Sequence, residues 1–242
     1  MTDKKKTHEE RIDPQISINR LADYMGSSEQ VKRRIVASCK YRPIVPVIQH
    51  GDAKQIIGEY LCSSDRSIDH LRAELERLEA RICDSMFEES VKKHNCDYLQ
   101  RFIAVAPSLN LPAAEYALTD GLPKVTLNGT RVSFYPQARL SRITRRNVQK
   151  SGALILRYAK TRPLREEVAL YESAFMFGYL AKHTPGDEGV PEHGICLTVD
   201  CYAGRLYQAP GDAKYRFKEM EAVCIGIAER WPAIKPPPGA VL

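Results

Sequence analysis

Asp200 closes an apolar run, ICLTVD, that reads as a buried strand turned at Ala203-Gly204 into a partner strand, Arg205-Leu206-Tyr207-Gln208. A carboxylate at the end of a buried strand has to be hydrogen-bonded, ion-paired or metal-bound, because burying an isolated charge costs too much. Glu166 and Glu167 open a helix, Glu172 lies further along it, and that helix is expected to cover the same sheet. Asp200, Glu166 and Glu167 are therefore the residues that would carry catalysis if the chain has any. The competing reading makes Asp200 a local cap or a partner of Arg205. His183, His193, Cys196 and Cys201 are a weaker set. Their spacings fit no compact zinc pattern, and strand alternation sends Cys196 and Cys201 to opposite faces, so no metal site is expected there.

A second group of residues is electrostatic. No acidic residue occurs between Asp120 and Glu166, while that stretch holds eleven Lys and Arg side chains. The whole chain has a net charge of +6, so the remainder is acidic by about five charges. A one-signed field of this kind draws polyanions. Within the basic segment 124–165, Arg139, Arg142, Arg145, Arg146, Lys150, Arg157 and Lys160 are expected to neutralise phosphates, with Tyr135 or Tyr158 stacking on exposed bases. A solvated face, or a docking patch for an acidic protein, is the alternative use of such a run.

Two stretches are similar to known families. LADYMGSSEQVKRRIV places the small Ala22 on one helix, Gly26 at a turn, and Lys32, Arg33 and Arg34 on a second helix. It resembles the helix-turn-helix of small bacterial repressors, where the helices cross closely at the alanine and the glycine makes a left-handed turn. That resemblance implies DNA contact by Lys32, Arg33 and Arg34. Ser27 departs from the apolar residue usual after the turn, and an αα-corner with a solvated basic face is the alternative. Further on, a helix glutamate, the strand aspartate Asp200 and a hairpin strand are loosely similar to the PD-(D/E)xK nucleases. In that family the acids hold Mg2+ and a lysine on the next strand orients the attacking water. The strand after Asp200 has no Glu-x-Lys, so a metal-dependent nuclease is the alternative and not the first reading.

The elements that must position these residues follow from periodicity. A charged leader, 1–16, is expected to be disordered. Ser17 caps a first helix, and helices are expected over 52–62 and, as a hairpin or one long bent helix, over 66–105, where Ile68, Leu71, Leu75, Leu78 and Ile82 repeat at 3- and 4-residue spacing. After Pro107 and Pro112 the period drops to two. Asn128-Gly129 marks a type I′ hairpin, Arg139–Lys150 is open between helix and basic loop, and Gly152–Tyr158 reads as a buried strand. Helices are expected after Pro163 and over 212–230, and the Pro-rich tail, 233–242, is expected not to pack. The fold class is α+β: an all-α domain over 17–106, then an α+β domain over 113–232 with a mixed sheet covered by two helices and carrying the basic face.

P-loop, dinucleotide, HExxH and nucleophile-elbow motifs are all missing. No apolar run approaches the roughly 20 residues that cross a bilayer, the N-terminus has no apolar signal region, and seven irregularly spaced cysteines include no C-x-x-C. A cytoplasmic protein with reduced thiols is expected. These features favour a non-catalytic nucleic-acid binder, either a regulator or a subunit of a larger DNA- or RNA-acting complex, over an enzyme or a protein scaffold. The 68–103 helices are a possible contact for a protein partner or a second copy.

Overall fold

A computed structural model describes residues 6–44, 50–119, 122–160, 162–183 and 189–242, and all that follows concerns those residues. Residues 1–5 of the expected leader, Pro46, and loop residues 184–188 lie outside them.

The chain begins with β1 (His8–Glu10) and β2 (Gln15–Ser17), then α1 (Ile18–Met25), whose Ser17 cap accepts the amide of Arg20. Gly26-Ser27-Ser28 connects to α2 (Glu29–Lys40), which runs into β3 (Tyr41–Pro43). Three helices follow: α3 (Gly51–Cys62), α4 (Ile68–Glu79) and α5 (Met86–Val105), of which α4 and α5 form the expected hairpin. Strands β4 (Glu115–Leu118), β5 (Leu122–Leu127), β6 (Thr130–Phe134), β7 (Ala138–Ile143) and β8 (Gln149–Arg157) come next. The chain ends with α6 (Glu166–His183), β9 (Val190–Asp200), β10 (Arg205–Gln208) and α7 (Ala213–Arg230).

This is an α+β fold with helices packed on a mixed sheet. Its main sheet runs β10-β9-β8-β7-β4, with β8 and β9 parallel and the other pairs antiparallel. Strand β8 is apolar on both faces because both are covered. Ala153 and Ile155 enter a core with α1, α2, α6, α7 and the small sheet β2-β6-β5, while Leu154 and Leu156 enter a second core with α3, α4 and α5. Helix α6 is buried around most of its girth, which explains its lack of a clear polar stripe.

Several expectations need correcting. From residue 6 onward the leader is ordered: β1 pairs with β3, and β2 pairs in parallel with β6. The tail is also held, because Val241 exchanges hydrogen bonds with Thr7 and the Ile234 carbonyl accepts from Tyr41 Oη and Lys40 Nζ. Arg139–Lys150 is neither helix nor loop but the β7–β8 hairpin, turned at Asn147 with φ 58°. The expected boundary near 106–113 does not separate two cores, since each core draws residues from both sides of it. Gly26 has φ −86° and no left-handed turn. Its lack of a side chain admits Val168 instead, whose Cγ2 would lie 2.9 Å from an added Cβ.

The α6–α7 contact depends on Gly178, where an added Cβ would lie 2.2 Å from Cγ of Phe217. Gly178→Ala is expected to destabilise the protein by about 1–3 kcal/mol despite the better helix propensity of alanine. Urea unfolding at unchanged m-value is the check, and an unaltered midpoint would show that the two helices are free to separate.

Candidate functional site

The small sheet β2-β6-β5 builds the head of a groove by simple alternation. On β6, Thr130, Val132 and Phe134 are buried, so Arg131, Ser133 and the following Tyr135 face outward. The parallel register places Gln15 beside Arg131 and Ser17 beside Ser133, and β5 adds Lys124. Arg11 enters from the β1–β2 connection, Arg20 from α1 and Arg42 from β3. Together they line a cavity of about 380 Å³ that has five cationic side chains and no acidic one among the described residues. Glu9 stands opposite Arg42 in the β1–β3 register but makes no ion pair with it. None of the five cations forms a salt bridge among the described residues.

Beyond Tyr135, which is 55% exposed, the groove continues into a hollow of about 500 Å³ containing Asp23, Lys54, Gln137 and Arg157. Ser17, Arg20, Ser133 and Tyr135 line both spaces, so the two adjoin. A third hollow of about 440 Å³ shares Arg20, Asp23 and Arg157 and reaches Arg162, Arg165 and Asp200. At the floor, Arg157 Nη2 donates to Asp23 Oδ1 at 2.8 Å, and Arg157 Nη1 lies 3.1 Å from Glu172 Oε1. Glu172 is fully buried, and neither of its carboxylate oxygens has a hydrogen-bond partner among the described residues. Burial pushes its carboxyl up to about 7; Arg157 and Lys54 oppose the shift and Asp23 adds to it. Burial also lowers the Lys54 ammonium, with repulsion from Arg157 in the same direction.

The expected acids do not converge. Glu166 and Glu167 are exposed in the first turn of α6. Asp200 is buried and hydrogen-bonded: Oδ2 accepts the amide of Leu164 at 2.7 Å, and Oδ1 accepts those of Tyr202 and Ala203 at 2.9 and 3.0 Å. It thus locks the β9–β10 turn to the segment before α6, through backbone amides and not through Arg205. Cys196 and Cys201 do lie in opposite cores, and His193 stacks on Phe177 with ring centroids 4.1 Å apart. Among the described residues no three His, Cys, Asp or Glu side chains are grouped to hold a metal ion.

The ten cations singled out in the sequence do not share one face. Arg157 points inward as described. Arg142 pairs with Glu192, Lys160 with Asp97 and Lys32 with Glu29, the last also lying 5.3 Å from the Tyr24 ring centre. Arg139 and Lys150 are half-buried on β7 and β8, and Arg145 and Arg146 are exposed at the hairpin tip. Arg33 and Arg34 are exposed on α2. Tyr158 is engaged with Asp97 and stacked on Tyr98 at 4.2 Å, which leaves Tyr135 as the aromatic on the groove. Sequence reasoning missed Arg11, Arg20 and Arg42 as site residues. Only the TRVSFY alternation signalled that Arg131, Ser133 and Tyr135 share a face. No helix among the described residues is long and apolar enough to cross a membrane. No protein-family model matches the chain, and no curated protein is significantly similar to it.

Two outcomes follow from the buried acids. Glu172 holds its proton in the folded state to about pH 7, against an ordinary value of 4.5. Its stabilising contribution is therefore complete below pH 4.5 and is lost as pH rises through 7. The stability of wild type relative to Glu172→Gln should fall by on the order of 3 kcal/mol over that window and be flat above it. Chemical unfolding of both proteins from pH 4 to 8 gives the comparison, and parallel profiles would contradict the buried assignment. For Asp200→Asn, loss of charge on an acceptor of three amides should cost about 1–3 kcal/mol. The melting temperature should drop, with no Mg2+- or Mn2+-dependent shift in either protein; a metal-dependent shift lost in the variant would restore the nuclease reading.

Proposed function

We propose that this protein binds single-stranded nucleic acid in the groove that runs from the basic cavity past Tyr135 to Arg157. The observation that carries this reading is the cluster of Arg11, Arg20, Arg42, Lys124 and Arg131 on one cavity, with no carboxylate in its lining among the described residues. Cations brought together without counter-charges repel one another, and a polyanion relieves that repulsion while releasing its own counterions. Tyr135 supplies a π-face at the mouth of the cavity, the combination by which single strands are held without sequence reading. The hollows, of about 380 to 500 Å³ each, suit nucleotides taken one at a time. A duplex, whose bases face inward, offers nothing for Tyr135 to stack on. A binding role is favoured because Glu166 and Glu167 are exposed and Asp200 is committed to backbone amides.

The groove and the hairpin tip make different predictions. Arg20→Ala with Arg131→Ala should weaken binding of a single-stranded oligonucleotide about ten-fold or more. It should also lower the magnitude of the log K against log salt slope by about 0.7 per lost contact. Arg145→Ala with Arg146→Ala should leave both nearly unchanged. Fluorescence anisotropy across a salt series reads both quantities, and the reverse pattern would move the interface to the β7–β8 hairpin.

A further inference from the structure

We propose that the basic cavity at the head of the groove is a receptor for a terminal phosphate group, either the phosphorylated end of a strand or the phosphates of a free nucleotide. The strand arm of this proposal rests on the reading above; the nucleotide arm does not. An internal phosphodiester carries one negative charge, and a surface that tracks a backbone spreads its cations along the path. Here five cations surround one cavity of about 380 Å³, whereas the adjoining hollow mixes Arg20, Lys54 and Arg157 with Asp23. The positive charge is concentrated at one end. A phosphomonoester, at about −1.5 to −2 near neutral pH, or a chain of phosphates, matches such a concentration better than a diester does.

The donors are of the right kind. Four of the five cations are guanidinium groups, Arg11, Arg20, Arg42 and Arg131, and their fork geometry engages phosphate oxygens in pairs. Ser17 and Ser133 sit side by side in the β2–β6 register and add hydroxyl donors to the same wall. Helix α1 starts at Ser17 with no acidic residue in its first turn, so its N-terminal dipole adds to the field. The lining also includes the buried Cys39, whose thiol is pushed up by burial although Arg20 and Arg11 lie near enough to oppose the shift. A neutral thiol beneath those guanidinium groups brings no competing charge. Tyr135, at the passage to the next hollow, is placed to stack on the first base behind a phosphate seated in the cavity.

The test compares one short single-stranded oligonucleotide in 5′-phosphorylated, 3′-phosphorylated and unphosphorylated forms, with inorganic tripolyphosphate and a nucleoside triphosphate as separate ligands. One of the two phosphorylated forms should bind at least about ten-fold tighter than the unphosphorylated strand, the worth of a charge-assisted contact. Tripolyphosphate should compete with it. Arg42→Ala with Arg131→Ala should erase the advantage, while Arg145→Ala with Arg146→Ala should keep it. Equal affinity for all three strands would overturn the end-receptor proposal and leave the groove reading standing. If no strand binds, but tripolyphosphate and a nucleoside triphosphate raise the melting temperature of the wild type and not of Arg42→Ala with Arg131→Ala, the cavity is a nucleotide receptor and the strand reading falls. Failure of every ligand to bind would remove both.

Discussion

Arg157 holds the groove in place. Its guanidinium reaches Asp23 on α1 and Glu172 on α6 from the last position of the central strand β8. These two contacts fix α1 against both the sheet and the crossover helix, and α1 carries Arg20 and begins at Ser17, both part of the cavity wall. Such a cluster is weak evidence of net stabilisation, because desolvating the charges offsets much of their attraction. What it does secure is position. Removing the arginine would leave Glu172 buried with no neutralising partner in contact, and its carboxyl is already raised to about 7. Protonation would then be its easiest relief, and α1 would lose its tie to β8.

The distribution of pairing across the surface has a physical meaning. Arg142, Lys160 and Lys182 each have a carboxylate within salt-bridge distance, and those pairs link elements far apart in the chain. Exposed pairs of this kind contribute at most about 1 kcal/mol each, so they are ordinary surface chemistry. The cavity differs in that five cations share it without any acid, although the chain outside the basic segment is net acidic. A local arrangement that costs stability without a structural return is the pattern expected of a binding site. Asp200 is engaged differently, by the backbone amides of Leu164, Tyr202 and Ala203. A carboxylate that already accepts three amides has little capacity left for a metal or a water.

Much of the fold was legible because it is written in local period. The 3- and 4-residue spacing from Ile68 to Leu78 produced α4, although Ile82, the last of that series, lies past its end and is exposed. Asn128-Gly129 produced the β5–β6 hairpin with φ 45° and 84°, and GALILR produced the doubly buried β8. The failures are long-range. Strand β2 is three residues long and meaningful only beside β6, more than a hundred residues away. Strand β7, ARLSRI, alternates only over Ala138–Ser141 before Arg142 takes the next apolar position, so the period of two was too short to read. The site divides in the same way. Arg131, Ser133 and Tyr135 share a face by alternation within six residues, whereas Arg11, Arg20 and Arg42 join them only through β1–β3 and β2–β6 pairing. Charge counting marked the segment 124–165 but could not tell which of its cations the acids outside it would take, nor that only Lys124 and Arg131 among them would line the cavity.

The wall that carries Arg42 is itself assembled from distant parts. Strand β3 pairs with β1, and Lys40 just before it, 4% exposed, donates to the carbonyls of Trp231 and Ile234 while sitting 3.2 Å from Glu10. Trp231 Nε1 in turn donates to the carbonyl of Arg11. A buried lysine and a buried tryptophan therefore set the backbone from which two cavity guanidinium groups project, on the side away from Arg157. The head of the groove is clamped at both ends: by an ion cluster through α1, and by hydrogen bonds from the C-terminal segment through β1 and β3. The fixed frame keeps the Cα positions of these cations close together, although Arg20, Arg42, Lys124 and Arg131 have exposed side chains. Under the proposed reading, the backbone of the site is organised before an anion arrives, so that part of the cost of gathering the charges is borne by the fold and not by the binding step.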